Sequence, residues 1–128
     1  FVTVIGATDY DLIIIDFFFE DEEFTANQIK SLKKKFNGAQ RLLISYMSIG
    51  EAEDYRFYWD SDWDDEQPDW IEAENTRWPG NYKVKYWNPN WQSIIFGSNE
   101  AYLDKIIAAG FDGVYLDIID AFDYFEYI

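Results

Sequence analysis

Three hydrophobic runs in this 128-residue chain each end on a carboxylate, and that repetition constrains the fold most. They are Leu12-Ile13-Ile14-Ile15-Asp16, the stretch from Leu42 through Met47-Ser48-Ile49-Gly50 to Glu51, and Val114-Tyr115-Leu116-Asp117. Short continuous apolar runs rich in β-branched residues read as strands buried on both faces. Helical patterns lie between them, so the expected class is α/β with parallel βαβ units. Acids at the C-terminal edge of a parallel sheet stand where such folds carry out their chemistry.

The spacing predicts strands at residues 11–16, 41–47 and 114–118. Thr25-Ala26-Asn27-Gln28 has the pattern of a capping box, and Ile29, Leu32 and Phe36 follow at helical spacing up to a stop at Asn37-Gly38. A short helix is expected over 52–59. A second long helix is expected from Asn99 to Ala109, with Leu103, Ile106 and Ile107 inward and Gly110 as its end. Residues 119–127 fit the start of a further helix, and residues 1–9 fit either a strand or the tail of a helix. Residues 60–97 carry Pro68, Pro79 and Pro89 and are too long for an ordinary connection. The chain therefore reads as one domain with a long aromatic-rich insertion at about 55–97.

All six tryptophans fall between Trp59 and Trp91. Confinement to one segment suggests flat apolar faces on a carbohydrate groove, or an aromatic minicore under a long loop; the two can coexist. The net charge is −15, which disfavours nucleic acid and an anionic membrane surface and suits a cationic or neutral partner, or solubility alone. No apolar stretch is long enough to span a bilayer. The chain starts at Phe1 with no recognisable signal peptide, so a processed, trimmed or partial chain is expected.

With no histidine and no cysteine, acid–base work falls to carboxylates. Asp16, Glu51 and Asp117 are expected to gather at one sheet edge. Paired carboxylates are the working parts of most glycoside hydrolases, one protonating the leaving oxygen and one serving as nucleophile or base. Burial and mutual repulsion keep one of such a pair protonated near neutrality. The alternatives are that these acids cap helices, accept loop amides, or pair with Arg41, Arg56 or Arg77. A magnesium ion on the three acids is a minor alternative, and the reading calls for no metal and no cofactor. Asp60-Ser61-Asp62-Trp63-Asp64 begins like a calcium loop, but Asp65 and Ile71 stand where that loop needs glycine and glutamate.

Four longer motifs occur together. They are Ser48-Ile49-Gly50-Glu51-Ala52-Glu53-Asp54-Tyr55-Arg56, Trp78-Pro79-Gly80-Asn81-Tyr82, Tyr86-Trp87, and Gly110-Phe111-Asp112-Gly113-Val114-Tyr115-Leu116-Asp117-Ile118-Ile119-Asp120. With Tyr10-Asp11 and the first strand, this resembles glycoside hydrolase family 114, the endo-α-1,4-polygalactosaminidase family. The resemblance implies a (β/α)8 TIM barrel, of which this chain supplies about strands 2 to 4, with residues 1–8 the end of the first barrel helix.

The same resemblance gives Asp117 the role of catalytic aspartate. The family's second acid, a glutamate on a later strand, has no counterpart here, and Glu51 is the nearest candidate partner. Asp16, Glu51 and Asp120 match acids lining the site. Tyr55, Arg56, Trp78, Asn81, Tyr82 and Trp87 match its loop region, where substrate contacts are expected. The implied partner is a cationic galactosamine-containing polysaccharide, and the implied location is secreted or cell-surface. Without a second acid, the isolated chain is expected to be inactive. It then acts as a carbohydrate-binding module or a truncated barrel, and its open sheet edges suggest a homo-oligomer that completes the barrel.

Overall fold

A computed structural model of the chain describes residues 1–127. In chain order the elements are α1 (Val2–Gly6), β1 (Leu12–Ile15), β2 (Phe18–Phe19), β3 (Glu22–Glu23), α2 (Ala26–Leu32), β4 (Leu42–Ser48), β5 (Glu51–Glu53), a 3-10 turn (Ser61–Asp64), β6 (Ile71–Glu74), β7 (Asn81–Val84), α3 (Pro89–Ile95), α4 (Tyr102–Ala109), β8 (Gly113–Asp117) and α5 (Ala121–Glu126). The three acid-ended runs form one sheet in the order β1-β4-β8. β1 is parallel to β4, with Leu12 opposite Leu42 and Ile15 opposite Ser45. Asp112 N–H donates to Leu43 O at 2.9 Å and Ile49 N–H to Asp117 O at 3.2 Å, so β8 advances in the same direction as β4.

The chain divides into two compact units. The first comprises residues 1–47 and 102–115. Its core is built where odd-numbered side chains of β1 and β4 meet the helices: Ile13 and Leu43 from the sheet, Ile29 and Leu32 from α2, Tyr102 and Ile106 from α4. Truncating one of these, such as Leu43→Ala, costs about 2–5 kcal/mol. The alternate residues Leu12, Ile14 and Leu42 are exposed. Burial on both faces, which the apolar runs suggested, is thus not found among the described residues; the helices cover one face only.

The capping box of α2 is present: Thr25 Oγ1 accepts the Gln28 N–H at 3.2 Å, and Gln28 Oε1 accepts the Thr25 N–H at 2.8 Å. The helix stops at Leu32 rather than at Asn37-Gly38. The N–H groups of Lys35 and Phe36, which would extend it, donate instead to Ala39 O at 2.7 Å and Thr8 O at 3.0 Å, in a turn held by the buried guanidinium of Arg41. Its Nε and Nη2 donate to Lys34 O at 3.1 and 2.6 Å, and Nη1 and Nη2 donate to Thr8 Oγ1 and Thr8 O, both at 2.9 Å. Diversion of the Lys35 and Phe36 amides ends the helix and leaves Phe36, expected inward, 74% exposed. In α4 the inward pair is Tyr102 and Ile106, four residues apart, while Ile107 faces water. Residues 2–6 are helical, as the family resemblance implied.

The second unit comprises residues 48–101 and those from 116 onward. Its centre is an antiparallel sheet in the order β5-β7-β6. The short helix expected over 52–59 is absent. Glu51-Ala52-Glu53 instead pairs with Lys83-Tyr82-Asn81 on β7, and Glu53 N–H donates to Tyr58 Oη at 2.9 Å. Cross-strand pairing outweighs local helix propensity there. Four tryptophans pack edge to face or tilted in a chain: Trp59–Trp63 at 5.2 Å, Trp63–Trp70 at 5.1 Å and Trp70–Trp91 at 5.2 Å between ring centres. Asp60 caps the 3-10 turn by accepting Asp62 N–H at 3.0 Å.

Candidate active site

Each strand of the parallel sheet runs into its acid in its own way. In the first unit Asp16 follows β1, and its Oδ1 accepts the Phe18 N–H at 2.9 Å, fixing the start of the β2–β3 hairpin. The other sequence-predicted site residues lie in the second unit.

Asp117 is the last residue of β8, half-buried. Its backbone oxygen accepts the Ile49 N–H, and its Oδ1 accepts the Ile118 N–H at 2.9 Å. Ile118 has φ +58°, a left-handed conformation that costs a β-branched residue about 1–2 kcal/mol or more. Across from it is Gly50. A Cβ added to Gly50 would lie 2.2 Å from Ile118 O and 2.6 Å from Ala121 Cβ, so only glycine fits. Ile49 O in turn accepts the indole N–H of the buried Trp91 at 3.0 Å.

Glu51 is two residues past Ile49 and only 1% exposed. Asn75 Nδ2 lies 3.3 and 3.1 Å from its two carboxylate oxygens, and Lys83 Nζ is 3.9 Å from Oε1. The same ammonium stands 5.7 Å over the Tyr124 ring. Glu53, on the same face of β5, is also buried. It accepts Arg56 Nε at 3.0 Å and the Tyr55 hydroxyl. Arg56, at 7% exposed, directs its guanidinium into this pair and over the Tyr55 ring at 5.0 Å.

On the other face of β7, Tyr82 packs 5.2 Å from Trp59. Burial raises the Tyr82 pKa, and Glu74, Asp54 and Asp64 add to the rise. Asp54 is raised as well, first by burial and then by Asp64 and Glu74. Asn81 closes the β6–β7 hairpin, donating its N–H to Trp78 O at 3.1 Å and accepting the Asn75 N–H on its carbonyl oxygen at 2.7 Å. Trp78, at the hairpin tip, is 68% exposed, and Trp87 is 51% exposed. Trp87 rests edge-on to Phe125 of α5 at 4.8 Å and to Tyr86 at 5.0 Å. Asp120 is exposed just ahead of α5 and makes no side-chain cap there.

A family model for glycoside hydrolases, GH114, matches residues 3–126. The chain belongs to glycoside hydrolase family 114. An uncharacterised protein of Methanocaldococcus jannaschii is 48% identical over 123 residues, which are 94% of this chain and 33% of that protein. An uncharacterised protein of Thermotoga maritima is 40% identical over 123 residues, 94% of this chain and 36% of its own length. Among solved structures, Ega3 of Aspergillus fumigatus, in complex with galactosamine, matches with a TM-score of 0.65 at 26% identity, over 90% of this chain and 39% of that one. The glycoside hydrolase domain of PelA from Pseudomonas aeruginosa shares the fold, with a TM-score of 0.61 at 17% identity over 89% and 39% of the two chains. The chain thus spans about a third of the length of these relatives. Its parallel sheet is part of a (β/α)8 barrel, in which the exposed face of Leu12, Ile14 and Leu42 is the one that fills the barrel interior.

Sequence reasoning passed over Asn75, Lys83, Gly50 and Ile118. Lys83 had a signal. Asn81-Tyr82-Lys83 alternates polar and aromatic with period two, matching Glu51-Ala52-Glu53, and opposite charges facing each other across strands are a pairing cue. Ile118 had none, because nothing in a β-branched residue announces a left-handed backbone.

Proposed function

We propose that the protein carrying this chain hydrolyses glycosidic bonds in an amino-sugar polysaccharide, with Asp117 as a catalytic carboxylate. The observation that carries this reading is the Ile49 N–H···O Asp117 bond. It anchors the strand end bearing Asp117 to the turn that follows the neighbouring parallel strand, at the sheet edge where barrel folds carry their chemistry. Membership of family 114 supports the reaction class, and the galactosamine complex of Ega3 supports the sugar. A cationic galactosamine polymer suits a chain of net charge −15, because an acidic surface concentrates a polycation. Exposed Trp78 and Trp87 offer apolar faces to sugar rings. A polysaccharide substrate favours a secreted or cell-surface location.

Glu51 does not suit the role of proton donor. Both its oxygens face Asn75 Nδ2, one faces Lys83, and the group is closed off from solvent. In this reading it holds the Asn75 amide and the Lys83 side chain in place. This occupancy favours a second reading for the 128-residue chain alone, that it holds glycan without cleaving it. Assays with partly deacetylated galactosamine oligomers separate the two. In the protein carrying this chain, Asp117→Asn is expected to abolish hydrolysis and keep binding. Hydrolysis that survives Asp117→Asn sinks the enzymatic assignment.

A further inference from the structure

We infer that Gly50 and the left-handed backbone of Ile118 together form a positioning device that aims the Asp117 carboxylate. The inference rests on Asp117 being catalytic, as proposed above. Three observations on the same few residues carry it. Ile118 holds φ +58°, a conformation that its own β-branched side chain disfavours, so its surroundings must impose it. The surroundings include Gly50, whose missing Cβ would sit 2.2 Å from Ile118 O, 2.7 Å from Ile118 Cγ2 and 2.6 Å from Ala121 Cβ. At the turn so held, the Ile118 N–H donates to Asp117 Oδ1 at 2.9 Å, which holds one carboxylate oxygen and restricts its rotamer.

The strand contributes the other half. Asp117 O is fixed by the Ile49 N–H at 3.2 Å, and Ile49 O by the Trp91 indole at 3.0 Å. Backbone before and after the carboxylate is therefore held from one turn, Ile49-Gly50. Gly50 and Ile118 touch no substrate in this scheme; they act through Asp117.

The test uses the protein carrying this chain, with folding checked by circular dichroism. In Gly50→Ala, the new Cβ must displace the Ile118 carbonyl by about 1 Å, a misplacement expected to cost about a hundredfold in kcat. KM should stay within about threefold, because no substrate contact is lost. Ile118→Gly and Ile118→Asn tolerate the left-handed backbone, so each should keep kcat within about fivefold and melt no lower than Ile118→Val. Should Gly50→Ala fail to fold, the Ile118 series decides. A kcat loss above tenfold in Ile118→Gly overturns the idea, since the side chain and not the backbone would then matter. Unchanged kcat in a folded Gly50→Ala overturns it as well. Activity that survives Asp117→Asn removes the underlying assignment instead, an outcome these variants do not mimic.

Discussion

Asn75 Nδ2 stands within 3.3 Å of both carboxylate oxygens of Glu51, and Asn75 Oδ1 accepts the Arg77 N–H at 3.0 Å. One amide therefore ties the buried acid to the hairpin tip that presents Trp78. Asn75→Ala removes a donor from an enclosed carboxylate. The expected loss is about 1.5–3 kcal/mol, read as a lower urea midpoint. Asn75→Asp should be worse, because it sets a second negative charge against Glu51. A midpoint unchanged in both variants would show that Glu51 is not held this way.

Arg56 gives a second stability test. Family resemblance put it among the substrate contacts, but its guanidinium is enclosed against Glu53 at 3.0 Å. Removing one partner of a buried pair leaves an uncompensated charge, so Arg56→Ala should cost about 3–5 kcal/mol. Arg56→Ala with Glu53→Gln should recover part of that loss. A substrate-contacting arginine would instead raise KM and leave the unfolding curve in place.

The parallel strands, the capping box at Thr25 and the helix ending at Gly110 were legible because each is written in local pattern. Apolar runs, a Thr-x-x-Gln spacing and a glycine stop need no distant partner. The sequence failed where distant partners decide. Residues 52–59 look helical until β7 supplies a strand for Glu51-Ala52-Glu53, and α2 looks longer until the Ala39 and Thr8 carbonyls take the Lys35 and Phe36 amides. Two tryptophans, Trp70 and Trp91, are buried in the minicore and two, Trp78 and Trp87, are exposed. Composition could not divide them, because burial depends on strands whose pairing was invisible.

Acid titration should separate two aspartates of opposite sign. Burial works to raise Asp112, but the Leu43 N–H and the Lys33 ammonium at 3.0 Å outweigh it and hold its carboxyl below the usual value. A depressed folded pKa adds stability that is present above the unfolded value of about 3.9 and lost as pH falls through the folded one. Asp54 is raised, chiefly by burial, so its contribution is present below the unfolded value and lost as pH rises through the folded one. Asp112→Asn should therefore lower stability near neutral pH by about 1–2 kcal/mol, after allowance for partial exposure. Asp54→Asn should raise it there. The Asp54 difference should shrink as pH falls below the unfolded value of about 3.9, and the Asp112 difference only at still lower pH, once its depressed folded pKa has been passed. Equal effects at both ends of the titration would refute the assignment of charge.

The β2–β3 hairpin turns on Glu20 at φ +50° and Asp21 at φ +66°. Two left-handed residues in a two-residue loop favour Asn-Gly, and neither glutamate nor aspartate is relaxed there. The double substitution Glu20→Asn with Asp21→Gly should stabilise the protein by about 0.5–2 kcal/mol and leave the site untouched. A lower melting temperature would mean that the acids make a contact worth more than the turn.

Trp87 and Trp91 lie four residues apart and should answer differently to truncation. Trp91 is enclosed, packs on Trp70 and donates to Ile49 O, so Trp91→Ala should cost about 3–5 kcal/mol and disturb the turn beside Asp117. Trp87 keeps half its surface in solvent while its edge is braced by Phe125 and Tyr86. A rigid, exposed indole is a stacking face with little ordering cost on binding. Trp87→Ala should leave the unfolding midpoint nearly unchanged and weaken binding of galactosamine oligomers by about tenfold, or about 1.4 kcal/mol. Tryptophan emission should shift when the oligomer is added to the parent protein, and that shift should fall in Trp87→Phe and in Trp78→Phe. If emission is silent in the parent, or binding in Trp87→Ala matches the parent, these two rings do not contact the glycan, and their exposure reflects only the surface they happen to occupy.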